Sequence, residues 1–332
     1  MNAELTFGRR DEFARRHALR YAAHTMQFIR AKTADWDHAD FADAWFQQQP
    51  VTYHGHMGKP PLVIDSLAQQ YLEKIVRGDP KTHELGEVLV MGEEVAQTDW
   101  DPHRPGRITI VRCDPVDGTS PLAHTGQGFA SVVTVESRRD SGQPWKHLGG
   151  AIVRSDGRAL SWSRRSVEEH HVDLRIDAAD TESPRVANLD SIPQFISRDV
   201  DETHRKLIAH SGAAVAAQST KRRQDLLQQY APLIGEAWYF DFQGGNPSAW
   251  QLCKGLLGWT IELNWTTIHD SIYLWPFCLL GGHVVDHGGK AINVLGLIEE
   301  HAGPDALEKA VQPYIAFIYD DSLDFINGHK IA

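Results

Sequence analysis

One strand-like run that ends in two closely spaced acids limits this chain more than any other feature. Ile108-Thr109-Ile110-Val111 is wholly β-branched, a composition that favours a strand, and the chain soon reaches Asp114-Pro115-Val116-Asp117-Gly118-Thr119-Ser120. Pro115 stiffens the link between the two carboxylates. Gly118, Thr119 and Ser120 are residue types that turn a chain or open a helix. Acids at the end of a regular element suit a rigid scaffold that aims them into a cleft.

The rest of the chain supplies such a scaffold. Phe13, Leu19, Ala22, Met26 and Ile29 recur at helical spacing within residues 11–31. Residues 66–76 read as a second helix, with Asp65 or Ser66 placed to cap it. The strand around Ile110 is expected to end at Asp114-Pro115. Another strand is expected over residues 129–135, and Ser155-Asp156-Gly157 marks a hairpin turn between Ala151-Ile152-Val153 and Leu160-Ser161-Trp162. Between Asp173 and Asn188 the sequence turns polar and irregular, which places a boundary between subdomains 1–180 and 181–332. Beyond it, helices are expected over 201–211, 222–234 and 248–257, strands over 238–242 and 258–265, and a further helix after Asp270. Helices and strands mixed in both halves predict a layered fold of the α/β or α+β class.

Length and charge narrow the function. At 332 residues the chain fits two packed subdomains or one large unit, and 42% hydrophobic with 23% charged residues is the composition of a folded protein. A net charge of −11 argues against a nucleic-acid polymer as partner. It leaves a small phosphate ester open, because divalent cations reverse the local field of an acidic site. Three scattered cysteines, Cys113, Cys253 and Cys278, make neither a disulfide framework nor a zinc site. No apolar run reaches the roughly 18 residues that suggest a membrane span. Met1-Asn2-Ala3-Glu4-Leu5 runs into charged residues without the apolar core of a signal peptide. The expectation is a cytoplasmic protein with no membrane partner.

Three segments carry chemistry: Met91-Gly92-Glu93-Glu94 after Val88-Leu89-Val90, the Asp114 to Ser120 segment, and His269-Asp270 ahead of an apolar run. Carboxylates at i and i+3 can converge on a pair of hard cations, and the Val116 carbonyl is a further oxygen ligand. Mg²⁺ takes oxygen ligands at about 2.0–2.1 Å and keeps several waters, so a few carboxylates plus a substrate phosphate is its usual arrangement. If a helix begins at Gly118-Thr119-Ser120, its first N–H groups form an anion site beside the metals. Taken alone, Asp-x-x-Asp-Gly-Thr is equally a turn with a helix cap; Glu93 and Asp270 weigh against that reading. Asp65 fits either a helix cap or the active site.

With these residues in view, the sequence resembles the inositol monophosphatase and fructose-1,6-bisphosphatase superfamily. Its signature, Asp-Pro-Ile/Leu-Asp-Gly-Thr-Ser/Thr, appears here as Asp114 to Ser120 with Val116 at the aliphatic position, and its upstream Gly-Glu-Glu as Gly92-Glu93-Glu94. Asn246-Pro247-Ser248-Ala249 occupies the place of a family turn that begins a helix. Two departures stand out: His269 replaces the family Trp before the last acid, and Asn264 falls where the inositol enzymes carry a substrate-side carboxylate. The resemblance implies a layered αβαβα sandwich of the sugar-phosphatase type, with most metal ligands in the first subdomain and Asp270 with the substrate contacts in the second. It implies Mg²⁺, two or three ions per site, held by Glu93, Asp114, the Val116 carbonyl, Asp117 and Asp270. A water oriented by Thr119 and supported by Asp65 would attack phosphorus, with Gly118, Thr119, Ser120, Ser248 and Asn264 on the phosphate and substrate side. The implied activity is hydrolysis of a phosphate monoester of a small polyol, sugar or cyclitol. A nucleotide 2′- or 3′-phosphatase and a non-catalytic phospho-ligand-binding relative are the alternatives. Inhibition by Li⁺ and a homodimer are also implied.

The remaining polar clusters, His54-Gly55-His56 and Glu168-Glu169-His170-His171, lack zinc-motif spacing and are expected in solvated loops. Trp250, Trp259, Trp265 and Trp275 are expected in the core rather than as a stacking platform.

Overall fold

The computed structural model describes residues 7–34, 63–92, 105–118, 122, 127–175, 186–215, 228, 230–241, 245–263, 265–304 and 310–329. The chain divides into two compact units, one of Met1–Ser191 with Ile298–Lys309 and one of Ile192–Leu297 with Ala310–Ala332.

In the first unit, helix α1 (Phe7–Thr33) uses its small residues to lie close to a sheet. Ala14, Ala18, Ala22 and Ala23 are fully enclosed beside Met26 and Ile29. Its last turn carries Arg30 and Lys32, the sign that the C-terminal end of a helix dipole favours. Helix α2 (Val63–Gly78) packs beside α1 and against the first two strands. The sheet has seven strands in sequence order: β1 (Glu87–Gly92), β2 (Ile108–Asp117), β3 (Ala130–Arg138), β4 (Lys146–Arg154), β5 (Arg158–Ser163), β6 (Val167–Val172) and β7 (Val186–Ser191). β1 and β2 run parallel, and every later pair is antiparallel.

β2 is buried on both faces, which explains its near-continuous apolar run. Val90, Val111 and Cys113 point into the helix-side core, whereas Leu89, Met91, Ile108 and Ile110 form a second cluster with Trp145. That second face also buries an ion pair. Arg112 Nε and Nη2 donate to the Glu136 carboxylate at 2.9 and 3.0 Å, Gly303 N–H donates to Glu136 Oε2 at 2.9 Å, and Arg112 Nη2 also reaches the Gly303 carbonyl. These bonds tie the returning segment 298–309 to the first unit.

The second unit holds a five-stranded sheet in the order β11-β12-β10-β8-β9. Its strands are β8 (Ser211–Val215), β9 (Tyr239–Asp241), β10 (Trp259–Glu262), β11 (His283–Asp286) and β12 (Tyr314–Phe317). β8 is parallel to both β9 and β10, and β12 is antiparallel to both β10 and β11. Around it lie α3 (Glu202–Ala209), α4 (Ala249–Lys254), α5 (Ile268–Ser271), α6 (Leu274–Leu279), α7 (Val294–Glu300), which straddles the division at Leu297, and α8 (Asp320–Gly328). Asp201 caps α3, its carboxylate accepting from the His204 N–H at 2.9 Å. Trp259, Ile261, Ile315 and Phe317 centre the core.

The mixed α/β class expected from the sequence is the class observed. Several boundaries differ. β2 does not stop at Asp114-Pro115 but continues to Asp117. Asp65 and Ser66 lie inside α2 rather than capping it. Glu168 to His171 are in β6, not in a loop, and His170 is fully buried because Ser161 and Asn188 satisfy its two ring nitrogens at 2.7 and 3.0 Å. Residues 186–188 belong to an edge strand. Among the tryptophans, Trp259 is in the core and Trp250 is buried, whereas Trp265 stands 60% exposed. No described helix is long and apolar enough to cross a membrane.

Candidate metal centre

The two signature acids meet because β2 carries an extra residue. Asp114 pairs with Val132 and Asp117 with Ala130, so three steps on β2 match two on β3. In a regular strand, residues three apart point to opposite faces. The one-residue bulge removes that mismatch and turns both carboxylates to the same side. Pro115 sits in the bulge, where its missing N–H costs no ladder bond. The Val116 N–H donates to Asp114 Oδ1 at 3.1 Å, which fixes that side chain against the bulge. Asp114 and Asp117 offer carboxylate oxygens within 4.8 Å of each other. Asp114 is buried and Asp117 half-buried.

Gly118 ends the strand with φ +95°, and a Cβ there would press on the Gly128 carbonyl at 3.2 Å. Glycine is the residue that takes this backbone without strain. The Leu122 N–H donates to the Gly118 carbonyl, four residues back, at 3.1 Å. Cys113 precedes the pair, and its thiol is pushed up by burial first and by the Asp114 carboxylate next.

Helix α2 reaches the same neighbourhood. Gln69, one turn after the buried Asp65, lies against the end of β1, and a Cβ on Gly92 would collide with its amide at 2.1 Å. Gly92 is opposite Cys113 in the parallel register, so β1 ends beside the residue that leads into Asp114. Only the spacing of Gln69 from Asp65, one helical turn, marks it in the sequence.

In the second unit Asp270 is the third residue of the short helix α5, and the helix expected after it is α6, which starts at Leu274. Its Oδ2 accepts from Thr266 Oγ1 at 2.6 Å, Thr267 Oγ1 at 3.1 Å and the Thr267 N–H at 3.3 Å. Thr267 and Asp270 form a capping box, and Thr-x-x-Asp before an apolar run was its sequence mark. None of these bonds engages Oδ1. Ser248 is enclosed at the junction of a short 3₁₀ turn, Asn246–Ser248, with α4. Glu93, Thr119, Ser120 and Asn264 lie outside the described residues, as do His54 and His56.

The donors at the bulge are all oxygen, two of them carboxylates, which is the set hard divalent cations take and soft transition metals do not prefer. The residues present fit such an ion.

No protein-family model matches the chain, and no curated protein matches it. Solved structures do. An inositol monophosphatase II from Staphylococcus aureus superposes with a TM-score of 0.52 at 10% identity, covering 93% of this chain and 92% of that one. The fold is that of the inositol monophosphatases. An inositol monophosphatase from Thermotoga maritima gives 0.52 at 13% identity over 93% and 96% of the two chains. A 2′-AMP-bound staphylococcal inositol monophosphatase II gives 0.52 at 11% identity over 94% of each. On this inositol monophosphatase fold, the bulge at Pro115-Val116 is the feature of the first unit that brings two acids together.

Proposed function

We propose that the chain is a Mg²⁺-dependent phosphatase that hydrolyses a phosphate monoester of a small polyol, sugar or cyclitol. The observation that carries this reading is the bulged end of β2, which holds the Asp114 and Asp117 carboxylates on one side of a buried strand. The inositol monophosphatase fold and the signature spacing support it. Glu93, Asp114, the Val116 carbonyl, Asp117 and Asp270 would hold the ions. Bound there, Mg²⁺ supplies Lewis-acid stabilisation and makes a water nucleophilic at neutral pH. The protein's own part is positioning. Thr119 would orient the attacking water and Asp65 would take up its proton, while the Gly118 and Thr119 N–H groups and Ser120 would hold the phosphate oxygens. On the resemblance, Ser248 and Asn264 would belong to the substrate side. A P–O ester bond would break as the water oxygen joins phosphorus, the water's proton passing to Asp65 and the departing alkoxide taking a proton from solvent water. The expected setting is cytoplasmic, with a small phosphorylated metabolite as substrate and a homodimer as the assembly.

Trp265 favours a second reading, a nucleotide 2′- or 3′-phosphatase. It is 60% exposed and immediately precedes Thr266, which holds the Asp270 carboxylate. An open indole there suits base stacking, worth about 1–3 kcal/mol per base. The 2′-AMP in the similar staphylococcal structure is consistent with it.

The test is phosphate release from a generic aryl phosphate with Mg²⁺ or with EDTA, followed by a panel of sugar, cyclitol and nucleoside phosphates. Release that requires Mg²⁺ and is lost in Asp114→Asn is the expected result. Equal activity in that variant would refute the site.

A further inference from the structure

Asp270 sits in a segment held rigid from outside itself. From Thr266 to Leu274 every residue is buried except Asp270. A continuous helix here would bond the Tyr273 N–H to the His269 carbonyl, four residues back. That bond is replaced. The side chain of Asn246 enters the interval: its Nδ2 donates to the His269 carbonyl at 2.7 Å, and its Oδ1 accepts from the Tyr273 N–H at 3.3 Å. Asn246 is 0% exposed. The helix is split at that point, α5 ending at Ser271 and α6 starting at Leu274. Other bonds hold the same stretch, since Tyr314 Oη reaches Ser271 Oγ at 3.3 Å and Tyr273 Oη at 3.0 Å. Gly245, next to Asn246, packs against the Asp270 carbonyl.

We propose that Asn246 is a positioning residue for the active site, acting through Asp270. Its amide, wedged between His269 and Tyr273, sets the backbone from which the Asp270 carboxylate projects, while Thr266 and Thr267 anchor one oxygen of that carboxylate and leave the other for a cation. Residues that orient a metal ligand without touching the metal commonly change affinity by about 10–100-fold when removed. Without Asn246 this bridge is lost, and a direct bond from the Tyr273 N–H to the His269 carbonyl would join α5 to α6 and turn Asp270 with them. This inference rests on the reading of Asp270 as a cation ligand.

The experiment is calorimetric titration of the full chain with Mg²⁺ alone, with the thermal midpoint measured in EDTA, for the parent, Asn246→Ala, Asn246→Asp, Asp270→Asn and the double variant Asn246→Ala/Asp270→Asn. Asn246→Ala is expected to weaken Mg²⁺ binding about 10-fold or more. Asn246→Asp keeps the size and the acceptor for Tyr273 but loses the donor to His269, so it tests the wedge if the alanine variant does not fold. The loss is expected to vanish in the Asp270→Asn background, which a purely structural role would not produce. Mg²⁺ affinity unchanged in both Asn246 variants, with Asp270→Asn weakened, overturns the inference and leaves the site reading standing. A full additional loss in the double variant also overturns it. Unchanged affinity in Asp270→Asn removes the ligand assignment itself, and the inference with it.

Discussion

Asp117→Asn isolates the electrostatic cost of holding two acids together. The carboxylate oxygens of Asp114 and Asp117 come within 4.8 Å. Two unit charges at that distance repel by about 1 kcal/mol in bulk water and about 3.5 kcal/mol at an effective dielectric near 20. Asp117 is half-buried, so about 1–2 kcal/mol is a fair measure of the repulsion that the cation-free fold carries. Removing one charge should therefore stabilise the chain in EDTA. At roughly 2–4 °C per kcal/mol for domains of comparable size, the midpoint of Asp117→Asn should rise by about 2–8 °C. With Mg²⁺ the order should reverse. A cation at 100 times its dissociation constant stabilises the parent by about 2.7 kcal/mol, and the variant should lose most of that gain. The assay is thermal unfolding of both proteins in EDTA and in saturating Mg²⁺, at one pH and ionic strength. A variant that melts lower than the parent in EDTA, and still gains the full Mg²⁺ shift, would refute the view that these acids are kept close for a cation.

Two further outcomes follow from buried groups of the first unit. Arg112 and Glu136 are 2% and 3% exposed, so Arg112→Met should cost about 3–5 kcal/mol in urea unfolding by stranding the Glu136 charge. Arg112→Met/Glu136→Leu should cost less than the single change, and additive losses would show that the charges are not coupled. His147 accepts from Trp162 Nε1 at 2.9 Å, and burial pushes its pKa from 6.5 down to about 4. Protons then bind the unfolded chain first, so its contribution is complete above pH 6.5 and is lost as pH falls from 6.5 to about 4. His147→Gln should flatten that part of the stability profile relative to the parent, and an unchanged slope would count against it.

Much of the fold was legible because periodicity and burial agree. Ala22, Met26 and Ile29 announce α1, and Ser155-Asp156-Gly157 announces the turn from β4 to β5. The misreadings come from polar residues whose partners lie far along the chain. Glu168 to His171 looks solvated until Ser161 and Asn188 are placed on either side of His170. The apolar residues after Asp270 announce α6, whereas the short α5 that Thr267 opens three residues before Asp270 has no apolar run of its own to announce it. The break between α5 and α6 could not be read locally at all, since the amide that makes it comes from Asn246.

The signature itself shows where spacing stops being informative. Asp114 and Asp117 are three apart, a separation that sends side chains to opposite faces of a regular strand. Their chemistry as a pair therefore depends on strand pairing, in which β2 spends one residue more than β3. Proline reads as the end of a strand because it lacks a donor, yet at the bulge no donor is required. The same residue that made Asp114 look terminal is thus compatible with β2 reaching Asp117. Convergence of the two carboxylates is a property of that register, and the Val116 N–H bonded to Asp114 Oδ1 is its local anchor.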